Sequence, residues 1–212
     1  MPLHILYALL PESSSDASWQ RELASLPISF LHEAKRFVRP EDRMAHLLGR
    51  ILLAKALEQM GFSRALLASL QRNSHNRPFV PAPVDFSISH SGSLVVCAIT
   101  AEGRVGIDIE AIKPIDFTDF SKVFLSLEWD IITADPSPLE MFFRFWTKRE
   151  SVLKATGSGL SGTLEYVERS FNRARSGDTL WHIQDIPSWQ GYACSVATDY
   201  LCGSVKLIHL EI

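Results

Sequence analysis

Apolar residues follow two different periods along the chain, which predicts a fold that mixes strands and helices. Leu3–Leu10 is a short apolar run of strand length at the start. Between Pro40 and Gly61 the apolar residues recur at helical spacing, so a long helix is predicted there, with Gly61 as its stop. A second long helix is predicted from Pro138 to Thr156, with Ser137 as N-cap and Glu140 completing a capping box.

The remaining apolar runs predict strands. Leu94–Thr100 and Val105–Glu110 are joined by a four-residue polar turn, which predicts a hairpin. Two more strands are predicted near the end, at Gly191–Thr198 and Val205–Glu211, and the first of these resembles the segment 95–100. We therefore expect an α+β fold of two similar α/β halves, residues 1–104 and 105–212, related by a pseudo-twofold axis. Chance similarity between short apolar strands remains the alternative.

Composition narrows the class of protein. The chain has 212 residues, of which 46% are hydrophobic and 21% charged, as in a globular protein with a core of its own. A net charge of −3 argues against nucleic-acid binding, so any anion site must be a local cluster. Three cysteines without a CxxC pair favour a reducing compartment. With neither a basic leader nor an apolar run of about 20 residues, we expect a cytoplasmic protein that does not enter membranes.

Two acidic residues stand on one predicted strand, in the sequence Val-Gly-Ile-Asp-Ile-Glu that ends at Glu110. Because strand side chains alternate between faces, Asp108 and Glu110 share a face at about 6.5–7 Å. Two such charges repel each other, and a hard cation such as Mg²⁺ relieves the repulsion. The alternative is a solvent-exposed strand face carrying two hydrated acids.

The second long helix carries Glu150 and Lys154 one turn apart. They could supply a third carboxylate to a metal and a cation to a phosphate. The alternative is a surface salt bridge, which would contribute only about 0.3–0.5 kcal/mol.

The segment Phe86–Gly92, with the sequence Phe-Ser-Ile-Ser-His-Ser-Gly, combines hydroxyls, an imidazole and a glycine, which favours an anion-binding turn. Serine–histidine nucleophilic catalysis is disfavoured, because the adjacent Ser89 and His90 would point to opposite faces of a strand. A simple hydrogen-bonded turn remains the alternative.

Taken in order and spacing, these segments resemble the three motifs of surfactin-type 4′-phosphopantetheinyl transferases. Two further elements, Arg77-Pro78 and the segment Phe124–Trp129, also resemble parts of that family. The resemblance covers roughly residues 40–165. It implies the fold of that family and transfer of the phosphopantetheine arm of coenzyme A to a serine of an apo acyl or peptidyl carrier protein, with release of 3′,5′-ADP.

The resemblance also implies roles for individual residues. Asp108, Glu110 and Glu150 would hold Mg²⁺, or Mn²⁺, together with the coenzyme A pyrophosphate. Glu150 would also act as the base towards the serine hydroxyl, and Lys154 would neutralise the pyrophosphate. The residues expected to contact coenzyme A are His46, Arg77, Pro78, Ser89, His90, Arg149 and Lys154.

Some positions depart from the family pattern. Arg149 and Leu125 stand where lysine and serine are usual, and Phe30 and Glu33 replace basic residues before the first long helix. These replacements leave the clamp for the 3′-phosphate open, with Lys35, Arg36 or Arg39 as candidates.

We expect a monomer whose site lies in the cleft between the halves, with carrier-protein docking on Ile112–Trp129 or on the glycine-rich loop 157–162. Two other functions remain open. One is a magnesium-dependent phosphohydrolase or nuclease, and the other is a non-catalytic module that binds coenzyme A or a carrier protein.

Overall fold

The computed structural model describes residues 2–157, 164–167 and 170–212. The helices are α1 (Ala17–Ala24), α2 (Ile28–Ala34), α3 (Pro40–Gln59), α4 (Ser126–Ala134) and α5 (Pro138–Thr156). The strands are β1 (Leu3–Leu9), β2 (Gln71–Arg72), β3 (Pro78–Phe79), β4 (Asp85–Ser91), β5 (Leu94–Thr100), β6 (Val105–Ala111), β7 (Glu165–Tyr166), β8 (Arg173–Ser176), β9 (Thr179–Asp185), β10 (Tyr192–Thr198) and β11 (Val205–His209). Most of the predicted glycine-rich loop, residues 158–162, lies outside the described residues. Within the described ranges, no helix has the length and apolar character needed to cross a bilayer.

Two sheets of related topology form the α+β fold expected from the sequence. The first has the order β11-β1-β5-β4 and the second the order β6-β10-β9-β8-β7. The antiparallel set β1-β5-β4 of the first sheet corresponds to β6-β10-β9 of the second. Helix α3 packs on one sheet and α5 on the other, and the remaining faces pack against each other through Ile5, Val96, Ile107 and Val196. Because β11 pairs in parallel with β1, the last strand belongs to the first sheet, and the boundary at residue 104 stays a prediction.

The predicted hairpin between β5 and β6 is wrong. Both edges of β5 are already occupied, by β1 and by β4, so the turn at 101–104 carries the chain into the second sheet instead. The predicted anion-binding turn at Phe86–Gly92 is also wrong, because these residues form most of strand β4. The actual hairpin joins β4 to β5, and Gly92 in its turn has a φ of +56°.

Both ends of α5 lie where the sequence predicts them, but its N-terminal cap differs from the prediction. The helix begins at Pro138 and ends before Gly157, which takes the left-handed conformation with a φ of +76°. The predicted capping box is wrong, because the Ser137 side chain makes no cap hydrogen bond. The Ser137 N–H instead donates to Asp135 Oδ1 at 2.8 Å, so the acid two residues earlier holds the backbone at the start of the helix.

Close packing between α5 and β6 depends on Gly106. A Cβ built on Gly106 would collide with the Ser151 carbonyl oxygen and would lie 2.6 Å from the Ala155 amide nitrogen. Both obstacles are helix backbone, which cannot rotate away. The absence of a side chain therefore lets α5 lie directly on the strand that carries Asp108 and Glu110.

We predict that Gly106→Ala destabilises the protein by at least about 1–3 kcal/mol, the usual cost of overpacking. The matched control is Gly203→Ala, because a Cβ at Gly203 meets nothing within 4 Å and its φ is not in the left-handed region. Urea denaturation of both variants and the wild type measures the difference. Equal free energies of unfolding for the two variants would contradict the packing argument.

Candidate active site

The edge strands β4 and β6 meet where the two sheets adjoin, and Ser89 joins them. Its Oγ accepts a hydrogen bond from the Ile109 amide at 3.3 Å and donates to Asp108 Oδ1 at 2.9 Å. Lys154 Nζ donates to the same two oxygens, at 2.7 Å to Ser89 Oγ and 2.6 Å to Asp108 Oδ1. Ser89 therefore orients Asp108 as well as lining the site.

Ser91 repeats this arrangement two residues further along, and the sequence interpretation missed it. Its Oγ accepts from the Ala111 amide at 3.0 Å and donates to Glu110 Oε2 at 2.8 Å. The signal was present in the sequence, since Ser-x-Ser in β4 has the same period of two as Asp-x-Glu in β6. Each serine holds one carboxylate, so both acids are fixed on the same face of the strand.

Helix α5 brings a third carboxylate to this face. Glu150 Oε1 and Asp108 Oδ2 are both buried and have no hydrogen-bond partner within the described part of the chain. Burial and then the negative charge of Asp108 raise the pKa of Glu150. Burial raises the pKa of Glu110 as well, with Asp108 adding to the effect against the hydrogen bond from Ser91.

These observations test whether the three acids suit a metal ion. The described residues contain no group of three or more Asp, Glu, His or Cys side chains arranged as a ready-made metal cage. However, two buried carboxylate oxygens without donors, in a set of mutually repelling acids, are the donor chemistry that a hard cation satisfies. The residues therefore fit a divalent cation with oxygen ligands.

The site comprises two adjoining cavities. The first, of about 350 Å³, is here called the carboxylate cavity and is lined by Ile88, Ser89, His90, Asp108, Glu110, Trp146, Glu150 and Lys154. The second, of about 360 Å³, is called the basic cavity; its polar and charged lining includes His46, Arg50, Arg72, His75, Asn76, Arg77, Ser87, His90, Glu150 and Lys154. The two share Ile88, His90, Glu150 and Lys154, so a single extended ligand can reach both.

Besides Arg77 and Lys154, three of the residues expected to contact coenzyme A line the basic cavity. They are His46, Pro78 and His90. Burial and then repulsion from Arg50 lower the pKa of His46 to about 4, so its ring is neutral at pH 7. Partial desolvation and then Lys154 lower the pKa of His90, which retains considerable exposure.

Arg77 also lines this cavity, yet its guanidinium is largely committed within the protein. It forms a bidentate pair with Asp85, at 2.7 Å and 2.6 Å, and donates to the backbone carbonyls of Phe86, Val105 and Lys154. These bonds connect the β2–β3 hairpin to both sheets and to the end of α5. The geometry therefore gives Arg77 a bracing position between the halves.

Other basic residues fall in unexpected places. Arg149 lines neither cavity, and its charge acts on Glu128 and Tyr166 as well as on Glu150. The candidates Lys35, Arg36 and Arg39 are exposed and also lie outside both cavities. Two arginines that the sequence interpretation did not single out, Arg50 and Arg72, line the basic cavity.

Three acids and a lysine beside a basic cavity suit the binding and transfer of a phosphate-containing group. Comparison with known proteins specifies the class. A model of the 4′-phosphopantetheinyl transferase superfamily matches residues 104–203, and a model of the 4′-phosphopantetheinyl transferase N-terminal region matches residues 13–102. The chain belongs to this superfamily, which confirms the wider family that the motifs predicted, while the surfactin-type subgroup stays a prediction.

Individual relatives agree with the family models. The 4′-phosphopantetheinyl transferase gsp of Aneurinibacillus migulanus is 38% identical over 59% of this chain and 53% of its own. HetI of Nostoc, also a 4′-phosphopantetheinyl transferase, is 29% identical over 85% of this chain and 78% of its own. The enzyme Sfp of Bacillus subtilis is 31% identical over 63% and 61%. The chain thus spans between half and four fifths of the lengths of these relatives.

The lowered pKa of His46 predicts a pH dependence of stability. Between pH 6.5 and about 4, the unfolded chain protonates this histidine and the folded protein does not. The free energy of unfolding should therefore fall as pH decreases through this window, by up to about 3 kcal/mol from this residue. In His46→Gln this contribution is absent, so the variant should lose less stability between pH 7 and pH 4.5.

Urea denaturation at the two pH values measures the loss, and His32→Gln, at an exposed position on α2, is the matched control. The same loss of stability in His46→Gln as in the wild type would refute the buried neutral histidine.

Proposed function

We propose that this protein transfers the 4′-phosphopantetheine arm of coenzyme A to a serine hydroxyl of an apo carrier protein and releases 3′,5′-ADP. The observation that carries the proposal is the shared wall of the two cavities, where Glu150 and Lys154 lie between the carboxylates of Asp108 and Glu110 on one side and the basic cavity on the other. The reacting pyrophosphate would lie at this wall, with the nucleotide in the basic cavity. The serine hydroxyl would then enter from the carboxylate cavity.

A divalent cation fits the carboxylate cavity. Asp108, Glu110 and Glu150 would hold Mg²⁺, or Mn²⁺, which prefer oxygen ligands. When bound, the ion supplies positive charge that neutralises the pyrophosphate oxygens. Ser89 and Ser91 keep two of these carboxylates oriented by hydrogen bonds from their hydroxyls.

Glu150 is the proposed base. A serine hydroxyl is a weak nucleophile and needs a proton acceptor, which typically increases the rate by about 10²–10⁴. Glu150 lies at the wall shared by the two cavities, which places its carboxylate beside the space proposed for the serine hydroxyl. Lys154, held at 2.6 Å from Asp108, would neutralise the charge that develops on the departing 3′,5′-ADP.

The other residues predicted to contact coenzyme A have different roles in this proposal. His46, Pro78 and His90 contact the nucleotide from the wall of the basic cavity. Ser89 acts mainly by holding Asp108. Arg77 supports the wall and has an N–H of Nη1 left for a phosphate, because its other donors are engaged within the protein.

Arg149 is the least supported of the predicted coenzyme A contacts. It lies outside both cavities, next in sequence to Glu150, and acts on the buried carboxylate of Glu128. In the proposal it contributes positive charge at longer range.

The carrier protein is proposed to dock on the segment Ile112–Trp129. The aromatic side chains Phe117, Phe120 and Phe124 pack into an aromatic core cluster, so they do not form the contact surface by themselves. Leu125 and Leu127 are 47% and 50% exposed, and the exposed Lys113 and Lys122 belong to the same segment. Apolar contacts with basic residues suit the acidic surface expected of a carrier protein.

We further propose that the protein belongs to the surfactin-type subgroup and acts as a cytoplasmic monomer. Both sides of the cleft come from one chain, so a second copy is not required to complete the site. The three free cysteines suit a reducing compartment. Neither a nucleic acid nor a membrane is a proposed partner.

The decisive experiment is intact-mass analysis of candidate apo carrier proteins after incubation with the protein, coenzyme A and Mg²⁺. Addition of one phosphopantetheine to the carrier, abolished when its acceptor serine is replaced by alanine, would support the proposal. Hydrolysis of a phosphate ester without transfer would indicate a phosphohydrolase. Complex formation without either product would indicate a binding module.

The metal assignment gives a prediction for Asp108. We expect Asp108→Asn to reduce turnover by more than about 100-fold, since even indirect metal contacts are worth 10–100-fold. EDTA should abolish transfer by the wild type, and excess Mg²⁺ or Mn²⁺ should restore it. Full activity in excess EDTA would contradict the metal assignment. Calorimetric titration of Asp108→Asn with Mn²⁺ measures its metal binding, and its thermal unfolding shows whether the variant is still folded.

The docking proposal gives a second prediction, for Lys113→Glu combined with Lys122→Glu. Charge steering acts mainly on association and weakens with salt. The double variant should therefore raise the KM for the carrier protein, most at low ionic strength, and leave the KM for coenzyme A nearly unchanged. The control with the same charge change is Arg21→Glu with Lys206→Glu, at exposed positions on α1 and β11. Wild-type kinetics at low salt would place docking elsewhere.

A further inference from the structure

Arg50 is a buried cation for which the structure provides no counter-ion. It lies in the middle of α3 and is only 6% exposed. No hydrogen bond or ion pair joins its guanidinium to any residue in the described ranges, and its Nε is fully buried without an acceptor. Its Cζ lies 5.3 Å from the centre of the Phe30 ring, a cation–π contact that compensates only part of the lost hydration.

The surroundings of Arg50 make this charge less favourable still. Burial and then repulsion from Arg72 lower the pKa of Arg50. The acid that acts on it, Glu33, is not within ion-pair distance and instead lies 3.8 Å from His46. An arginine remains protonated in proteins, so the unpaired charge is a cost that the free protein carries.

The cavity shows where a counter-ion would come from. Arg50 lines the basic cavity, as do Arg72 and the buried, partnerless Nε2 of His46. A neutral His46 can donate a hydrogen bond without adding charge. Two guanidinium groups and one imidazole around the same space would bind an anion with several oxygen atoms.

We propose that Arg50 anchors a phosphate subsite that receives the phosphomonoester on the ribose of coenzyme A. This inference rests on the proposed function. The pyrophosphate is assigned to the wall shared with the carboxylate cavity, beside Glu150 and Lys154, and Arg50 lies in the part of the basic cavity that is not shared. The phosphomonoester is therefore the phosphate of coenzyme A that remains for Arg50.

The same assignment fills the gap left by Phe30 and Glu33. These residues stand where basic residues were expected from the sequence, and Lys35, Arg36 and Arg39 lie outside the cavity. The Phe30 ring makes a cation–π contact with Arg50, so an aromatic side chain at that position contributes to the subsite rather than disabling it.

The test is calorimetric titration of the purified protein with coenzyme A and with dephospho-coenzyme A, which lacks only the phosphomonoester. We expect the wild type to bind coenzyme A more tightly than dephospho-coenzyme A. Arg50→Met should weaken coenzyme A binding roughly 10–150-fold, the range for one charge-assisted phosphate contact, and leave dephospho-coenzyme A nearly unchanged. Arg50→Lys should keep part of the discrimination, since a lysine retains the charge without the bidentate geometry. Arg36→Met is the matched control and should behave as the wild type.

Thermal unfolding without ligand supplies an independent readout. An arginine with a structural role stabilises the free protein, whereas an unpaired one destabilises it, so Arg50→Met should raise the melting temperature. A lower melting temperature, or loss of folding, would assign Arg50 to the structure of the protein and overturn the proposal. Equal weakening of both ligands, or unchanged binding of both, would also overturn it.

Failure of the inference can be told apart from failure of the proposed function. If the wild type modifies a carrier protein but binds the two ligands equally, the transferase proposal stands and the phosphate subsite fails. If the wild type binds neither ligand and transfers nothing, both fail.

Discussion

The fold and the site depend on one set of hydrogen bonds, those between the side chains of β4 and the backbone of β6. The N–H groups of Val105, Ile109 and Ala111 are bonded by side-chain oxygens of Asp85, Ser89 and Ser91. An unpaired buried N–H is costly, so these side chains allow two sheets to adjoin at their edges. The hydroxyls of Ser89 and Ser91 also donate to Asp108 and Glu110, so the same two serines join the sheets and orient the carboxylates.

Two further contacts complete this joint. The bare backbone of Gly106 lets α5 approach β6, which places Lys154 within 2.6 Å of Asp108. Arg77 then fixes the end of α5, because its Nε donates to the Lys154 carbonyl at 2.9 Å. Arg77 also donates to the carbonyl of Val105, and its partner Asp85 accepts from the Val105 N–H. Loss of either contact would move Lys154, so residues outside the carboxylate cavity influence the position of this cation.

Much of the site could be predicted because its signals are local. The Asp108 and Glu110 alternation and the helical spacing of Glu150 and Lys154 each specify a shared face, and the structure places all four residues around one cavity. The pairing of β5 could not be predicted, since a short turn suggests a hairpin while the competing partners β1 and β4 are distant or unrecognised. The roles of Arg77 and Arg50 were hidden for the same reason, because the presence or absence of a partner is a property of the folded chain.

The two cavities share a thermodynamic feature that explains their pairing. Each contains buried polar atoms that have no partner among the described residues: Asp108 Oδ2 and Glu150 Oε1 at one end, and the guanidinium of Arg50 at the other. Such groups reduce the stability of the free protein, and they are also groups that a ligand can satisfy without first displacing a protein partner. The two ends carry opposite charges, so the carboxylates suit a cation whereas the guanidinium suits an anionic group. In the proposed function this difference would orient the substrate, with the cation-bound pyrophosphate at the carboxylates and the phosphomonoester at Arg50.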